Sequence, residues 1–160
     1  MMLLLKIFSG FRKFTGLNIH SQNNCFMPQI FSPVDIKSLD KDVQKDYFDR
    51  HSPQIFCEPS VKEGEKFCVK VRVGSEYVHP DDGDHFIGYI QLWNRETLLA
   101  EAKIFPGTMG NKPGQAEVDF YIVPKVSMNL LAMAYCTKHG LWQSTPKEVA
   151  VIHENTECKH

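Results

Sequence analysis

After Asp49 the apolar residues of this chain change from a helical period to a period of two, and that change limits what it can build. Phe67, Val69, Val71 and Val73 alternate with Cys68, Lys70 and Arg72, and Gly74 ends the run. Phe86 to Trp93 is a long aromatic and β-branched stretch closed by a turn at Asn94-Arg95. Ala100, Ala102 and Ile104 alternate with Glu101 and Lys103 until Pro106-Gly107. Ala116, Val118, Phe120 and Ile122 alternate with Glu117, Asp119 and Tyr121 until Pro124. Period two puts one row of side chains on each face of a strand. Met128 to Tyr135 fits helix or strand by composition, and its neighbours favour strand. A last strand is expected near Glu148 to Ile152. No helix among these strands is long enough for a crossover, so the expected fold is all-β, an antiparallel sandwich.

The amino-terminal part differs. Ile36, Leu39, Val43 and Tyr47 lie three or four apart among dense charges, which predicts a short amphipathic helix leading into the domain. Residues 1–34 contain Lys6, Arg12 and Lys13 but no Asp or Glu, and Leu3, Leu4, Ile7, Phe8, Phe11 and Phe14 follow helical spacing. Lys6 interrupts the apolar run and no basic residue precedes it, a poor fit to a secretory signal. The expected organisation is a helical extension over 1–40, a β-sandwich over 41–153 and a polar tail over 154–160. The extension is expected to pack on the domain or on a partner subunit, with an organelle presequence as the alternative. No stretch reaches the roughly 18 apolar residues of a membrane span. A cytoplasmic location is expected, with an organelle, reached through the acid-poor amino-terminal segment, as the alternative. A formal net charge of −1 provides no basic field for nucleic acid. Five cysteines with no C-x-x-C argue against a disulfide framework, a zinc ribbon or a cysteine-only metal centre, and favour a reducing setting.

Five residues of metal-ligand type stand out: His51, His79, His85, Cys136 and His139. Each alone is weak, because a lone Cys-x-x-His is more often a buried cysteine beside a surface histidine. The combination is stronger. His79 and His85 bracket a Pro-Asp-Asp-Gly turn that can fold the chain back so that the imidazoles converge. Cys136 and His139 lie where a strand ends, and Gly140 permits a tight backbone there. Four neutral imidazoles and one thiolate suit a first-row transition metal rather than calcium or magnesium, and five donors leave an octahedral ion one vacant position. Cys57, Cys68 and Cys158 have no ligand partner at suitable spacing; His20, His153 and His160 are expected on the surface, Trp93 and Trp142 in the core, and Lys138 in an exposed loop.

These residues resemble the superoxide reductase catalytic domain of the desulfoferrodoxin/neelaredoxin family. Family sequences show Glu-Lys-His-x-Pro-x-Ile, a Val-x-Val-x-Val-Gly strand, His-Pro-x-x-x-His-x-Ile and Cys-Asn-x-His-Gly-x-Trp. Here the counterparts are Asp49-Arg50-His51-Ser52-Pro53-Gln54-Ile55, Val69 to Gly74, His79-Pro80 through His85-Phe86-Ile87, and Cys136-Thr137-Lys138-His139-Gly140-Leu141-Trp142. They occur in the family's order from about Asp49 to Val151.

The resemblance implies an immunoglobulin-like β-sandwich holding one iron per chain. His51, His79, His85 and His139 would be equatorial, Cys136 axial, and the sixth position open to substrate. It implies one-electron reduction of superoxide to hydrogen peroxide, a rubredoxin-like electron donor and a homodimer or homotetramer. With only Cys25 before the domain, the chain resembles the single-iron class. Two departures touch the expected catalytic pair: Arg50 stands where the family has the lysine that guides superoxide, and Asp49 where it has the glutamate that caps oxidised iron. Thr137 replaces the asparagine after the axial cysteine. The alternatives are a copper electron-transfer sandwich using Met133, or a non-catalytic relative.

Overall fold

The computed structural model describes residues 45–153. The expectations for the 1–40 extension and the 154–160 tail therefore lie outside the described residues. A short helix, α1 (Lys45–His51), leads into nine strands: β1 (Pro53–Phe56), β2 (Ser60–Lys62), β3 (Phe67–Val73), β4 (Ile87–Asn94), β5 (Thr97–Lys103), β6 (Glu117–Ile122), β7 (Met128–Cys136), β8 (Gly140–Gln143) and β9 (Lys147–Ile152). One sheet has the order β1-β3-β6; the other runs β2-β9-β7-β4-β5, with β8 also paired to β7. All pairings are antiparallel except the three-residue β2 alongside β9. The helix carries Asp49, Arg50 and His51 in its last turns, so the switch to period two comes slightly later than the sequence suggests.

The core lies between the sheets. Val69, Val71 and Val73 of β3 and Phe120 of β6 meet Ile90 and Leu92 of β4, Leu130, Ala132 and Ala134 of β7, and Val149 of β9. Each fully buried Val, Leu or Ile contributes about 1.5–3 kcal/mol relative to exposure. β7 lacks a visible alternation because both of its faces are covered. Its even-numbered side chains join the main core, while Leu131 and Met133 pack with Trp93 and Leu141 in a second cluster. That double burial is why the segment from Met128 to Tyr135 has no clear period.

Cys136 is the last of the inward row Met128, Leu130, Ala132, Ala134, Cys136, and it is fully buried at the end of the core. The β4–β7 register shifts between Ile87 and Tyr89, opposite this cysteine, so a bulge lies where the sheet meets the site.

Candidate metal centre

Four local structures carry the ligand-type residues to one end of the sandwich. Helix α1 ends on His51. The loop after β3 carries His79, which is bridged to Gly114 in both directions, N to O at 2.8 Å and O to N at 2.9 Å. A tight turn follows in which Asp82 and His85 exchange main-chain bonds, and it presents His85. Cys136 pairs with Gly140 across a three-residue hairpin loop that ends on His139, and Gly140 takes the left-handed conformation (φ 77°) that closes it. The Cys-x-x-His-Gly motif is thus a hairpin turn.

The four imidazoles form a closed ring. Successive rings meet edge to face: His51–His79 at 5.0 Å between centroids, His79–His85 at 4.8 Å, His85–His139 at 4.8 Å and His139–His51 at 4.6 Å. The diagonal pair His51 and His85 is 6.2 Å apart and more nearly parallel, at 25°. The Cys136 sulfur is 3.3 Å from His79 Nε2 and 3.5 Å from His139 Nδ1, so it lies almost equally close to two opposite corners of the ring. One donor atom each from His51, His79, His85 and Cys136 lie within 4.8 Å of one another. His139 joins through Nδ1, 2.9 Å from His51 Nε2.

Bonds to main-chain carbonyls fix the outward nitrogens of His51 and His79 and turn their other ring nitrogens toward the cluster. His51 Nδ1–H donates to the Tyr47 carbonyl at 2.5 Å, one helical turn back, and His79 Nδ1–H donates to the Pro80 carbonyl at 2.7 Å. Both therefore aim an Nε2 lone pair inward, an outer-shell arrangement typical of ligating histidines. His85 Nε2 is buried with no hydrogen-bond partner among the protein atoms, which fits a nitrogen that ligates a metal. Burial, partly opposed by the bond to Tyr47 and reinforced by the neighbouring histidines, pushes His51 down to about 4. Burial likewise pushes His79 down to about 4, partly opposed by the bond to Pro80 and reinforced by His85, His139 and Arg50, and burial also lowers His85. These rings are neutral at pH 7, the form that binds a metal.

A pH prediction follows for the metal-free protein. His51 and His79 bind protons near 6.5 when unfolded but only near 4 when folded, so between these values the unfolded state holds more protons. Stability is complete above about pH 6.5 and falls as the pH drops toward 4, by up to about 1.4 kcal/mol per pH unit for each ring. Denaturant unfolding of metal-free protein at pH 7, 5.5 and 4.5 should show a falling midpoint. A flat midpoint over that range would contradict the burial of these rings as neutral groups.

The structure brings neither Asp49 nor Arg50 into the cluster. Asp49 is 2% exposed, and its carboxylate accepts bonds from the N–H groups of Ser75, Glu76 (2.9 Å) and Tyr77 (2.8 Å) and from the Ser75 hydroxyl. Burial alone would raise Asp49, but the Ser75 hydroxyl and the Tyr77, Glu76 and Ser75 N–H groups outweigh it and keep the carboxyl below its usual range. Both oxygens are already engaged, so Asp49 anchors the 75–77 loop. Arg50 donates to the Asp46 carboxylate at 2.5 Å and to the Asp46 carbonyl at 3.0 Å. It remains close enough to His79 to disfavour protonation there.

Thr137 secures the other side. Its hydroxyl accepts from Phe86 N at 3.1 Å and donates to the Asp84 carbonyl at 3.0 Å, tying the Cys136 hairpin to the His85 turn. Lys138 pairs with Asp84 at 2.9 Å. Trp142, expected in the core, is half-buried instead; it stacks on His51 at 4.9 Å and 19°, and Tyr47 stands edge-on to His51, His139 and Trp142. Tyr47, expected only as an apolar helix position, and Asp81, expected only as a turn residue, both support the site. Nothing in the sequence distinguishes them, since one contributes a main-chain carbonyl and the other lies in a loop rich in Asp and Gly.

A two-sheet β-sandwich that brings four imidazoles and one cysteine sulfur together at one end has a donor set suited to a single transition-metal ion. The desulfoferrodoxin family model matches residues 41–145, and the chain belongs to that family. Among similar proteins, the superoxide reductase of Thermococcus kodakarensis is 33% identical over 104 residues, covering 60% of this chain and 84% of that one. The superoxide reductase of Pyrococcus furiosus is 33% identical over 113 residues, covering 60% and 86%. The solved superoxide reductase (neelaredoxin) of Ignicoccus hospitalis shares the fold with a TM-score of 0.53 at 31% identity, covering 64% of this chain and 81% of that chain.

Proposed function

We propose that this chain is a superoxide reductase holding one iron through His51, His79, His85, His139 and Cys136. The observation that carries this reading is the ring of four imidazoles with the Cys136 sulfur against two of its opposite corners, in a member of the desulfoferrodoxin family. When bound, a ferrous ion supplies the electron that takes superoxide, with two protons, to hydrogen peroxide. The protein provides neutral rings and a single thiolate, which leave the reduced site net positive and attractive to an anion. The tautomers of His51 and His79 are set by main-chain carbonyls, so their donor atoms need no rearrangement to bind the ion.

The copper alternative fares poorly. Met133, its candidate axial ligand, is buried on the face of β7 opposite Cys136, with Leu131 and Trp93. A mixed set of four histidines and one cysteine also exceeds the two histidines, one cysteine and weak methionine of such copper sites.

An external one-electron carrier of the rubredoxin type is proposed as donor. Among the described residues the only group of metal-ligand side chains is the one above, and the other described cysteines, Cys57 and Cys68, are free thiols. No helix among the described residues is long and apolar enough to cross a membrane.

The direct test is to reduce the iron-loaded protein anaerobically and pulse it with superoxide. One peroxide formed per iron oxidised, without oxygen release, is the expected result; oxygen release in equal amount would indicate dismutation instead. Arg50 is expected to draw superoxide in by its charge rather than to donate a proton, since a guanidinium holds its proton too tightly. Arg50→Ala should therefore slow the second-order reaction on the order of several-fold at low salt and flatten its ionic-strength dependence, with iron content unchanged. A variant that keeps the parent's salt dependence would exclude Arg50 from steering.

A further inference from the structure

The mechanism leaves Asp81 unused, although it is 1% exposed and therefore costly to bury unless its carboxylate does something. Its Oδ1 accepts from Gly107 N at 3.0 Å, and its Oδ2 from Met109 N at 2.8 Å and Asn111 N at 3.2 Å. The loop can aim these N–H groups at one carboxylate because Gly107, Gly110 and Asn111 all have positive φ (84°, 78° and 55°), which curls the main chain into a concave anion cradle. The same loop continues to Gly114, which is bridged to His79 in both directions. The segment 107–114 is thus attached to the loop that carries His79 at two points, on either side of Pro80.

Pro80 is the link to the metal centre. Its carbonyl, in the peptide that joins it to Asp81, accepts the Nδ1–H of His79 and so directs His79 Nε2 at the Cys136 sulfur, 3.3 Å away. We propose that Asp81 is a positioning residue of the metal centre: by gathering the 107–111 loop it fixes the Pro80–Asp81 peptide, and that peptide holds His79 in the tautomer and orientation that offer Nε2 to the metal. The inference rests on the reading of this cluster as a metal site. His51 is served by a parallel device, its Nδ1 held by the Tyr47 carbonyl while Asp49, two residues before it, gathers the 75–77 loop. A carboxylate two residues from each of the two fully buried rings therefore organises a neighbouring loop.

The test uses the full chain freed of metal and titrated anaerobically with cobalt(II), which reports binding and sulfur coordination without reference to superoxide. Asp81→Asn keeps the shape of the side chain but turns an NH₂ group toward at least one of the loop N–H groups. It is expected to weaken cobalt binding about 10–100-fold, the range for loss of an outer-shell partner, and to shift the sulfur-to-cobalt absorption. Val149→Ala, a core truncation on β9, serves as the stability control and is expected to lower the thermal midpoint while leaving affinity and spectrum at the parent values.

Asp81→Asn with parent affinity and spectrum would overturn the proposal, and so would an equal loss of affinity in Val149→Ala. Should Asp81→Asn fail to fold, Asp81→Glu retains an acceptor but displaces the main chain by a methylene. A shifted band in that variant supports the positioning role, and an unshifted band at parent affinity overturns it. Failure of the metal-site reading itself is distinguishable, because the parent would then show no sulfur-based band at all.

Discussion

Cys136→Ser should abolish the visible sulfur-to-metal absorption of the oxidised iron protein and lower superoxide reduction by more than about 100-fold. The lower bound follows from outer-shell losses, which already cost about 10–100-fold in affinity or activity, whereas Cys136 is proposed as a direct ligand. Its sulfur lies within 3.5 Å of both His79 Nε2 and His139 Nδ1, and it is the only sulfur among the described residues of the cluster. Serine nearly matches cysteine in size, and the fully buried site should keep its fold, less about 1–3 kcal/mol for a hydroxyl poorly partnered at the end of an apolar row. Optical spectra, iron content and pulsed-superoxide rates would be measured on the same preparation. A serine variant that keeps both the band and the parent rate would remove Cys136 from the centre and the proposed function with it.

Gly74→Ala is expected to destabilise the protein by about 2–5 kcal/mol, a large share of the roughly 5–15 kcal/mol that holds an ordinary domain together. Gly74 ends β3 with φ 82°, a left-handed conformation that L side chains resist. An added Cβ would lie 2.5 Å from the Tyr77 carbonyl oxygen and 3.5 Å from Arg50 Cα, and both are main-chain atoms that cannot swing aside. The clash falls where α1, the end of β3 and the Asp49-anchored loop cross, so iron retention should decline together with stability. Denaturant unfolding and metal content would check it. A change under about 0.5 kcal/mol, the range of ordinary surface substitutions, would mean that this crossing tolerates far more movement than its contacts imply.

Much of this architecture was legible in the sequence because alternation and turn chemistry are local. The run Phe67 to Val73 became a strand burying Phe67, Val69, Val71 and Val73, and the strands expected near Ala100, Ala116 and Glu148 appear within a few residues of where alternation put them. β2 escaped notice because three residues cannot display a period, and its pairing with β9 is a long-range event. The five ligand-type residues were legible from residue type and spacing together with the family resemblance that their order carries. The roles of Asp49 and Arg50 were not. The family resemblance gave Arg50 a steering role and Asp49 a possible capping role, but successive helical residues point about 100° apart, which carries Asp49 toward the 75–77 loop and Arg50 back onto Asp46.

The chain by itself determined the period of its strands, the chemistry of its donor atoms and the order in which they arrive, all of which depend on residue type and spacing over a few positions. Only the tertiary structure decided that the four imidazoles close into one ring beside the Cys136 sulfur, that main-chain carbonyls of Tyr47 and Pro80 set two of their tautomers, and that Asp49 and Asp81 each gather a loop. Those outcomes depend on main-chain atoms from segments distant in sequence, and every residue type carries the same main-chain N–H and C=O apart from proline's missing donor, so side-chain identity gives no notice of them.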